Sequence, residues 1–242
     1  MGTLYIVSTP IGNLKDITLR AIKILQSVDA IACEDTRKTG LLLSRILPPS
    51  ADGSNTTNNP INKQRLISYY EQNELRRIPE IVNALKNGLN LALVSDAGTP
   101  TISDPGFKLV RECIREGIKV EPIPGPSSVI TALVSSGLPT DKFLFLGYPP
   151  KKPGHRKKFF QSLTTTLHSV KVTHILFEAP HKLIRTLEEI RDVFGEIDIV
   201  ICRELTKIHE EIRREKISSS IDHFSKTNPK GEFVVLFNLS NS

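Results

Sequence analysis

Residues 91–106 read Leu91-Ala92-Leu93-Val94-Ser95-Asp96-Ala97-Gly98-Thr99-Pro100-Thr101-Ile102-Ser103-Asp104-Pro105-Gly106. Four consecutive apolar residues make a buried-type strand, and the segment after it changes character at once. Two glycines and two prolines there let a ligand approach the backbone closely while holding the loop's shape at low entropic cost. A helical segment, 106–116, follows and is closed by Gly117, and 120–123 is the next strand. Before the quoted stretch, 73–87 is helical and closed by Gly88. Strands alternating with helices predict a mainly parallel sheet covered on both faces. In such a sheet, ligands bind beyond the carboxyl ends of the strands.

The same alternation runs in both directions. Toward the N-terminus lie a strand at Leu4–Ser8, a helix at Ile17–Ser27, a strand at Ala30–Cys33 and a helix at Lys38–Leu47 that stops at Pro48-Pro49. Toward the C-terminus, Pro122, Pro124, Gly125 and Pro126 punctuate the chain near its midpoint. We expect the domain boundary there, with an N-terminal α/β domain over 1–123 and a C-terminal α/β domain over 124–242. In the second half the expected helices are 127–136, 155–167 and 182–194. The expected strands are 143–147, 173–177, 198–202, 208–217 and 233–237. Residues 49–63, polar and rich in Asn, Ser, Thr and Pro, read as a flexible surface insertion.

Composition narrows the function classes. The chain has 242 residues, 39% hydrophobic and 24% charged, which is the make-up of a soluble globular protein. No apolar run approaches the roughly 20 residues of a membrane-spanning helix, and no basic stretch precedes the first apolar run as in a secretory signal. Cys33, Cys113 and Cys202 lie far apart in apolar-patterned segments, so buried thiols in a reducing cytoplasm are expected, with no metal site. The net charge is +6. Lys151, Lys152, His155, Arg156, Lys157 and Lys158 concentrate positive charge within 151–158. That run suits either a solvated helix start or contact with phosphates.

Four loops follow probable strands and are rich in small residues, proline or charge: Ser8 to Asn13, Cys33 to Arg37, Ser95 to Gly106, and Pro124 to Ser128. Together they favour a shared ligand cleft. None is a GxGxxG turn or a GxxxxGK[ST] loop, which argues against nicotinamide-dinucleotide and nucleotide-triphosphate chemistry.

These motifs resemble the tetrapyrrole methylase superfamily. They are Ser8-Thr9-Pro10-Ile11-Gly12-Asn13-Leu14, Glu34-Asp35-Thr36-Arg37, Ser95 through Gly106, and Pro124-Gly125-Pro126-Ser127-Ser128. Within the superfamily they are similar to its 16S rRNA (cytidine-2′-O-)methyltransferase branch. Tyr69 to Glu74, Phe177-Glu178-Ala179-Pro180-His181, Cys202 to Lys207 and Lys230-Gly231-Glu232-Phe233 extend the likeness over nearly the whole chain. Two departures stand out: the 49–63 insertion, and an end soon after Phe237 where many members continue into a helical extension.

The resemblance implies two α/β domains with S-adenosyl-L-methionine in the cleft between them, acting as methyl donor to a cytidine ribose in the decoding region of 16S rRNA. The rRNA is expected within the small ribosomal subunit, and the enzyme as a cytoplasmic homodimer. Carried over by motif, the donor residues are Pro10, Ala97, Gly98, Thr99, Ile102, Ser127, Ser128, Phe177 and Leu205. The candidate catalytic residues are Asp35, Arg37, Glu178, Glu204 and Lys207, and the candidate RNA contacts are Lys152, Arg156 and Lys157. Asp96 and His181 also lie near the expected cleft, and Glu34 and Asp35 have a plainer reading as helix N-terminal acids. The residues leave the general base open. Competing readings are a corrinoid or sirohaem methylase and a non-catalytic RNA-binding module.

Overall fold

The computed structural model describes residues 1–47, 64–166 and 171–239. The insertion expected at 49–63 lies outside the described residues. The chain divides into two compact units, Met1–Ser127 and Ser128–Ser242, with the division at the end of the Pro-Gly-Pro turn.

In the first unit, strands β1 (Thr3–Val7), β2 (Ala30–Cys33), β3 (Arg65–Ser68), β4 (Leu91–Val94) and β5 (Lys119–Ile123) form one parallel sheet in the order β3-β2-β4-β1-β5. The helices are α1 (Leu19–Ser27), α2 (Thr36–Ile46), α3 (Glu74–Lys86) and α4 (Phe107–Arg115). Strands β2 and β4 are buried along their whole length, as unbroken apolar runs require of central parallel strands. Two cores result, one on each side of the sheet. Leu25 and Leu43 pack with Ile31, Cys33 and Val94, whereas Ile81, Leu85, Leu109 and Cys113 pack with Leu4, Ala32 and Leu93. Helices α1 and α2 therefore cover one face and α3 and α4 the other. Caps fix where the first two begin: Thr18 accepts from the Ala21 N–H and Asp35 from the Arg37 N–H. Strand β3, half-buried at the sheet edge, was not evident in the sequence.

In the second unit, α5 (Ser128–Ser136), β6 (Phe143–Phe145), α6 (Pro153–Thr166), β7 (Thr173–Glu178), α7 (Leu183–Phe194), β8 (Asp198–Arg203), β9 (Glu211–Lys216), α8 (Ile217–Thr227) and β10 (Phe233–Asn238) follow in order. The sheet order is β6-β7-β10-β8-β9. Only β6 and β7 pair in parallel. Strand β10 inserts between β7 and β8 and runs antiparallel to both, so this sheet is mixed. Every residue of β10 is buried. Helix α7 buries Leu183, Thr186, Leu187 and Ile190, the i, i+3, i+4, i+7 stripe of an amphipathic helix. Helix α8 stands where the sequence reading had left no element. The three cysteines are buried and free. Among the described residues no helix is long and apolar enough to cross a membrane.

Candidate active site

The carboxyl ends of β1, β4 and β5 carry loops that are pinned to one another. Thr9 and Gly98 exchange backbone hydrogen bonds, N–H of Thr9 to O of Gly98 at 2.9 Å and the reverse at 3.0 Å. The buried Thr9 hydroxyl donates to the Ser95 carbonyl at 3.2 Å. The Ser8 and Thr99 hydroxyls lie 3.0 Å apart, and the Thr99 hydroxyl donates to the Pro126 carbonyl at 3.0 Å. Three segments distant in sequence thus form one floor. It includes Pro10, Gly98 and Thr99, and leads into Ser127.

Gly98 is the keystone of that floor. Its φ of +80° is open to glycine and strained for other residues. A Cβ there would stand 3.3 Å from the Ile11 Cγ2. Beyond it, Thr101 and Ser103 hold positive φ of 74° and 63° without being glycine. Strain of this kind persists only where the surroundings over-determine it, and it concentrates at ligand sites. Ala97 is exposed and Ile102 is 43% exposed, so the loop presents small and apolar surface outward.

The next loop along the sheet edge supplies charge. Asp96 accepts from the Asp35 N–H at 3.2 Å and from Lys38 Nζ at 2.7 Å, which ties the β2 and β4 loops together. Glu34 is pushed up to about 7 by burial and then by the negative charges of Asp104 and Asp96. Burial likewise raises Asp104. The edge therefore holds a negative potential and one carboxylate that titrates near neutrality. Sequence reasoning gave Glu34 only the plainer role of a helix N-terminal acid. Asp35, expected among the catalytic groups, has both oxygens engaged: Arg37 Nε reaches Oδ1 at 3.1 Å and Nη2 reaches Oδ2 at 2.8 Å, while the Arg37 N–H caps on Oδ1. Those hydrogen bonds hold its carboxyl far below the usual range. Asp35 is thus held in an exposed pair with Arg37. The Arg37 guanidinium is committed to the same pair.

In the second unit, Phe177 stands near the end of β7 with its N–H bonded to the Gly147 carbonyl at 3.0 Å. Phe145 and Tyr148 meet its ring edge-on, with centroids 4.9 and 5.5 Å away. Tyr148 is 60% exposed and belongs to this aromatic wall, although the sequence reading did not name it. Leu205 is buried in a turn whose neighbours Glu204 and Thr206 both have positive φ. A clasp holds that turn. Glu204 Oε1 accepts from the Glu232 N–H at 2.9 Å and from Lys207 Nζ at 2.9 Å, and Lys207 also reaches Glu232 at 3.0 Å. Burial pulls the Lys207 ammonium down, but hydrogen bonds to Glu204 and Glu232 outweigh it and keep the group above its ordinary value. Glu204 and Lys207, expected as catalytic groups, hold the Leu205 turn through these bonds.

Two expectations are corrected by burial. Arg156 is 2% exposed, not a surface phosphate contact. Its Nε donates to Glu189 at 2.7 Å, and its Nη2 bonds the Thr186 hydroxyl and lies 3.8 Å from Glu178. Glu178, 3% exposed, accepts from the Ala179 N–H at 2.8 Å and from the Thr186 hydroxyl. The pair joins α6, β7 and α7 and is not a free general base. Removing one member leaves the other charge buried without its partner. Arg156→Ala is therefore expected to destabilise the protein by about 3–5 kcal/mol. Thermal and urea unfolding monitored by circular dichroism check this, with Lys157→Ala near wild type as the control. Lys152 and Lys157, with Lys151, His155 and Lys158, remain exposed. His181 is also exposed.

Comparison with known proteins bears on this architecture. The family model for tetrapyrrole (corrin/porphyrin) methylases matches residues 3–220. The chain belongs to the tetrapyrrole methylase family. A ribosomal RNA small subunit methyltransferase I of Thermotoga maritima is 44% identical over 236 residues, covering 98% of each chain. The protein of the same name from Hydrogenobaculum sp. is 45% identical over 240 residues, 99% of this chain and 96% of its own. Among solved structures, a cobalt precorrin-4 methyltransferase superposes with a TM-score of 0.64 at 17% identity, covering 97% of this chain and 94% of that one. The uroporphyrin-III-C-methyltransferase of Thermus thermophilus gives 0.63 at 18%, covering 100% and 96%. At those identities the likeness establishes the fold. This tetrapyrrole methylase therefore shares its two-domain α/β architecture with small-molecule methylases, and its sequence with enzymes named for ribosomal RNA.

Proposed function

We propose that this tetrapyrrole methylase transfers a methyl group from S-adenosylmethionine to a cytidine ribose 2′-hydroxyl of small-subunit ribosomal RNA in the decoding region. One observation carries the reading: the chain is 44–45% identical, over 98–99% of its length, to proteins named ribosomal RNA small subunit methyltransferase I. Glu34, on the same sheet edge as the pinned Gly98 loop and raised by burial to about 7, is the base we assign. A ribose hydroxyl is a weak nucleophile until its proton is accepted, and a base is most effective when its pKa lies near the working pH.

The residues fit such a donor. The Gly98 floor offers open backbone, Ala97 and Ile102 offer small and apolar surface, and the acidic edge favours a cationic sulfonium over a pyrophosphate. Pro10, Ala97, Gly98, Thr99, Ile102 and Ser127 are the donor contacts we assign in the first unit. When bound, S-adenosylmethionine supplies an electrophilic methyl group on sulfur. Glu34 would accept the proton of the ribose 2′-hydroxyl, leaving its oxygen free to take the methyl group. The Asp35–Arg37 pair and Lys38–Asp96 hold the loop that presents Glu34. Holding acceptor and methyl in line accounts for much of the acceleration.

The exposed lysines just before and on the first turns of α6 supply phosphate contact. Neutralising Lys152 and Lys157 together is expected to weaken binding to RNA of any sequence and to flatten its dependence on salt, with donor affinity unchanged. Filter binding across a salt series measures this, and an unaltered slope would make the run a solvated face. Substrate class is tested by supplying the enzyme and labelled donor with either unmodified small subunits or a tetrapyrrole. Label is expected in the subunits alone. A homodimer acting in the cytoplasm completes the proposal.

A further inference from the structure

A cavity of about 260 Å³ opens in the first unit between the segment after β3 and the start of α4. Its wall includes Glu71, Glu74, Asp104, Phe107 and Lys108. None of these has a role in the donor floor described above. Phe107 is 61% exposed, so one face of its ring is open to a ligand. The Arg111 guanidinium lies over the ring at 5.4 Å and holds it at the cavity rim. Glu74, 5% exposed, fixes Lys108 Nζ at 2.6 Å and receives the Tyr69 hydroxyl at 3.3 Å. That ion pair uses one of the three ammonium donors of Lys108 and leaves two. Glu71 is exposed and makes no ion pair among the described residues.

An aromatic platform, an open carboxylate and a fixed ammonium are the set that reads a stacked base with an amino group beside ring acceptors. Carboxylates accept from the cytosine amino group, and an ammonium serves its N3 and O2. Uracil presents an acceptor where cytosine presents that donor, so the same set disfavours it. Asp104, in the cavity wall, belongs to the same 95–106 loop as Gly98, which links the cavity to the donor floor. We propose that this cavity is the base-recognition pocket of the RNA substrate, with Phe107 stacking on an unpaired cytosine, Glu71 accepting from its amino group and Lys108 donating to its ring acceptors. The proposal rests on the ribosomal RNA reading and gives that site its sequence preference.

The test uses the full-length protein and a short single-stranded RNA carrying a fluorescent cytosine analogue. Wild type is expected to bind the RNA and quench the analogue, and a competitor with uridine at that position should displace it poorly. Phe107→Ala should lose the quenching and weaken binding at least tenfold, within the range of ~1–3 kcal/mol for one base–aromatic stack. Phe107→Tyr should restore both. Glu71→Gln, at an exposed position where folding is not at stake, should reduce discrimination between cytosine and uracil about tenfold. Donor affinity by calorimetry should not change in any variant. Unchanged binding and quenching in Phe107→Ala would overturn the pocket. So would a change in its oligomeric state by sedimentation, which would make Phe107 a protein-contact residue. Methyl transfer to unmodified small subunits is measured in parallel: its failure in wild type, with the oligonucleotide results as expected, overturns the ribosomal reading and leaves the pocket standing.

Discussion

Glu34→Gln is expected to lower single-turnover methyl transfer by about 100-fold or more, close to 2.7 kcal/mol of transition-state stabilisation, while S-adenosylmethionine binds as before. Gln keeps the size of the side chain and removes its capacity to take a proton, so the change isolates the proposed chemistry. The pH dependence gives the sharper signature. With Glu34 raised to about 7, the wild-type rate should climb as pH rises through neutrality and level off once the group is ionised. The variant should lose that limb and run flat at its low rate. Stability should move the opposite way. A carboxyl whose folded pKa is raised binds more protons folded than unfolded between its ordinary value and about 7, so its ionisation costs stability over that window. Glu34→Gln should therefore melt higher than wild type above pH 7, and the advantage should fade toward pH 4.5. A near-normal rate with an unchanged pH limb would move the base elsewhere.

Gly98→Val is expected to abolish donor binding while the protein stays folded. The position is buried, has a φ of +80°, and exchanges both backbone hydrogen bonds with Thr9. A β-branched residue is strained at that φ and would press on Ile11 from a Cβ only 3.3 Å away. The Thr9–Gly98 bridge should open and take with it the floor that joins the β1, β4 and β5 loops. The loop lies at the strand ends and not in either core, so cooperative unfolding should persist with a modestly lower midpoint. Isothermal calorimetry with S-adenosylmethionine measures the effect. Wild-type affinity in a folded variant would remove the donor from this loop.

Much of this site was legible in the sequence because small residues and prolines after apolar runs mark strand ends whatever lies around them. The loops at Ser8, Ser95 and Pro124 were found that way. What raises the Glu34 carboxyl was not legible, since burial, Asp104 and Asp96 act on it together only once the parallel sheet has formed. The clasp around Leu205 was hidden for a related reason: the positive φ of Glu204 and Thr206 leaves no mark in residue type. Arg156 is different. Its burial was readable, because Arg156, Phe160 and Leu163 share one helical face, whereas Lys157 and Lys158 fall off it. Attention to the charge run concealed the phase. Helix α8 likewise carries an i, i+3, i+4, i+7 stripe in Ile217, Ser220, Ile221 and Phe224, masked by three consecutive serines of modest helix propensity. Strand β3 is four residues at a sheet edge, too short and too exposed for its alternation to stand out.

The central claim is the atom that receives the methyl group. Small subunits lacking the modification, incubated with the enzyme and donor labelled on the methyl carbon, should take up label in the RNA of the particle. Alkaline hydrolysis needs a free 2′-hydroxyl, so a ribose-methylated nucleotide survives as an uncut dinucleotide. The account predicts that the label is recovered in one such alkali-stable dinucleotide with cytidine on its 5′ side. Label released in an ordinary mononucleotide would place the methyl group on a base and contradict it, and so would the absence of label from the RNA.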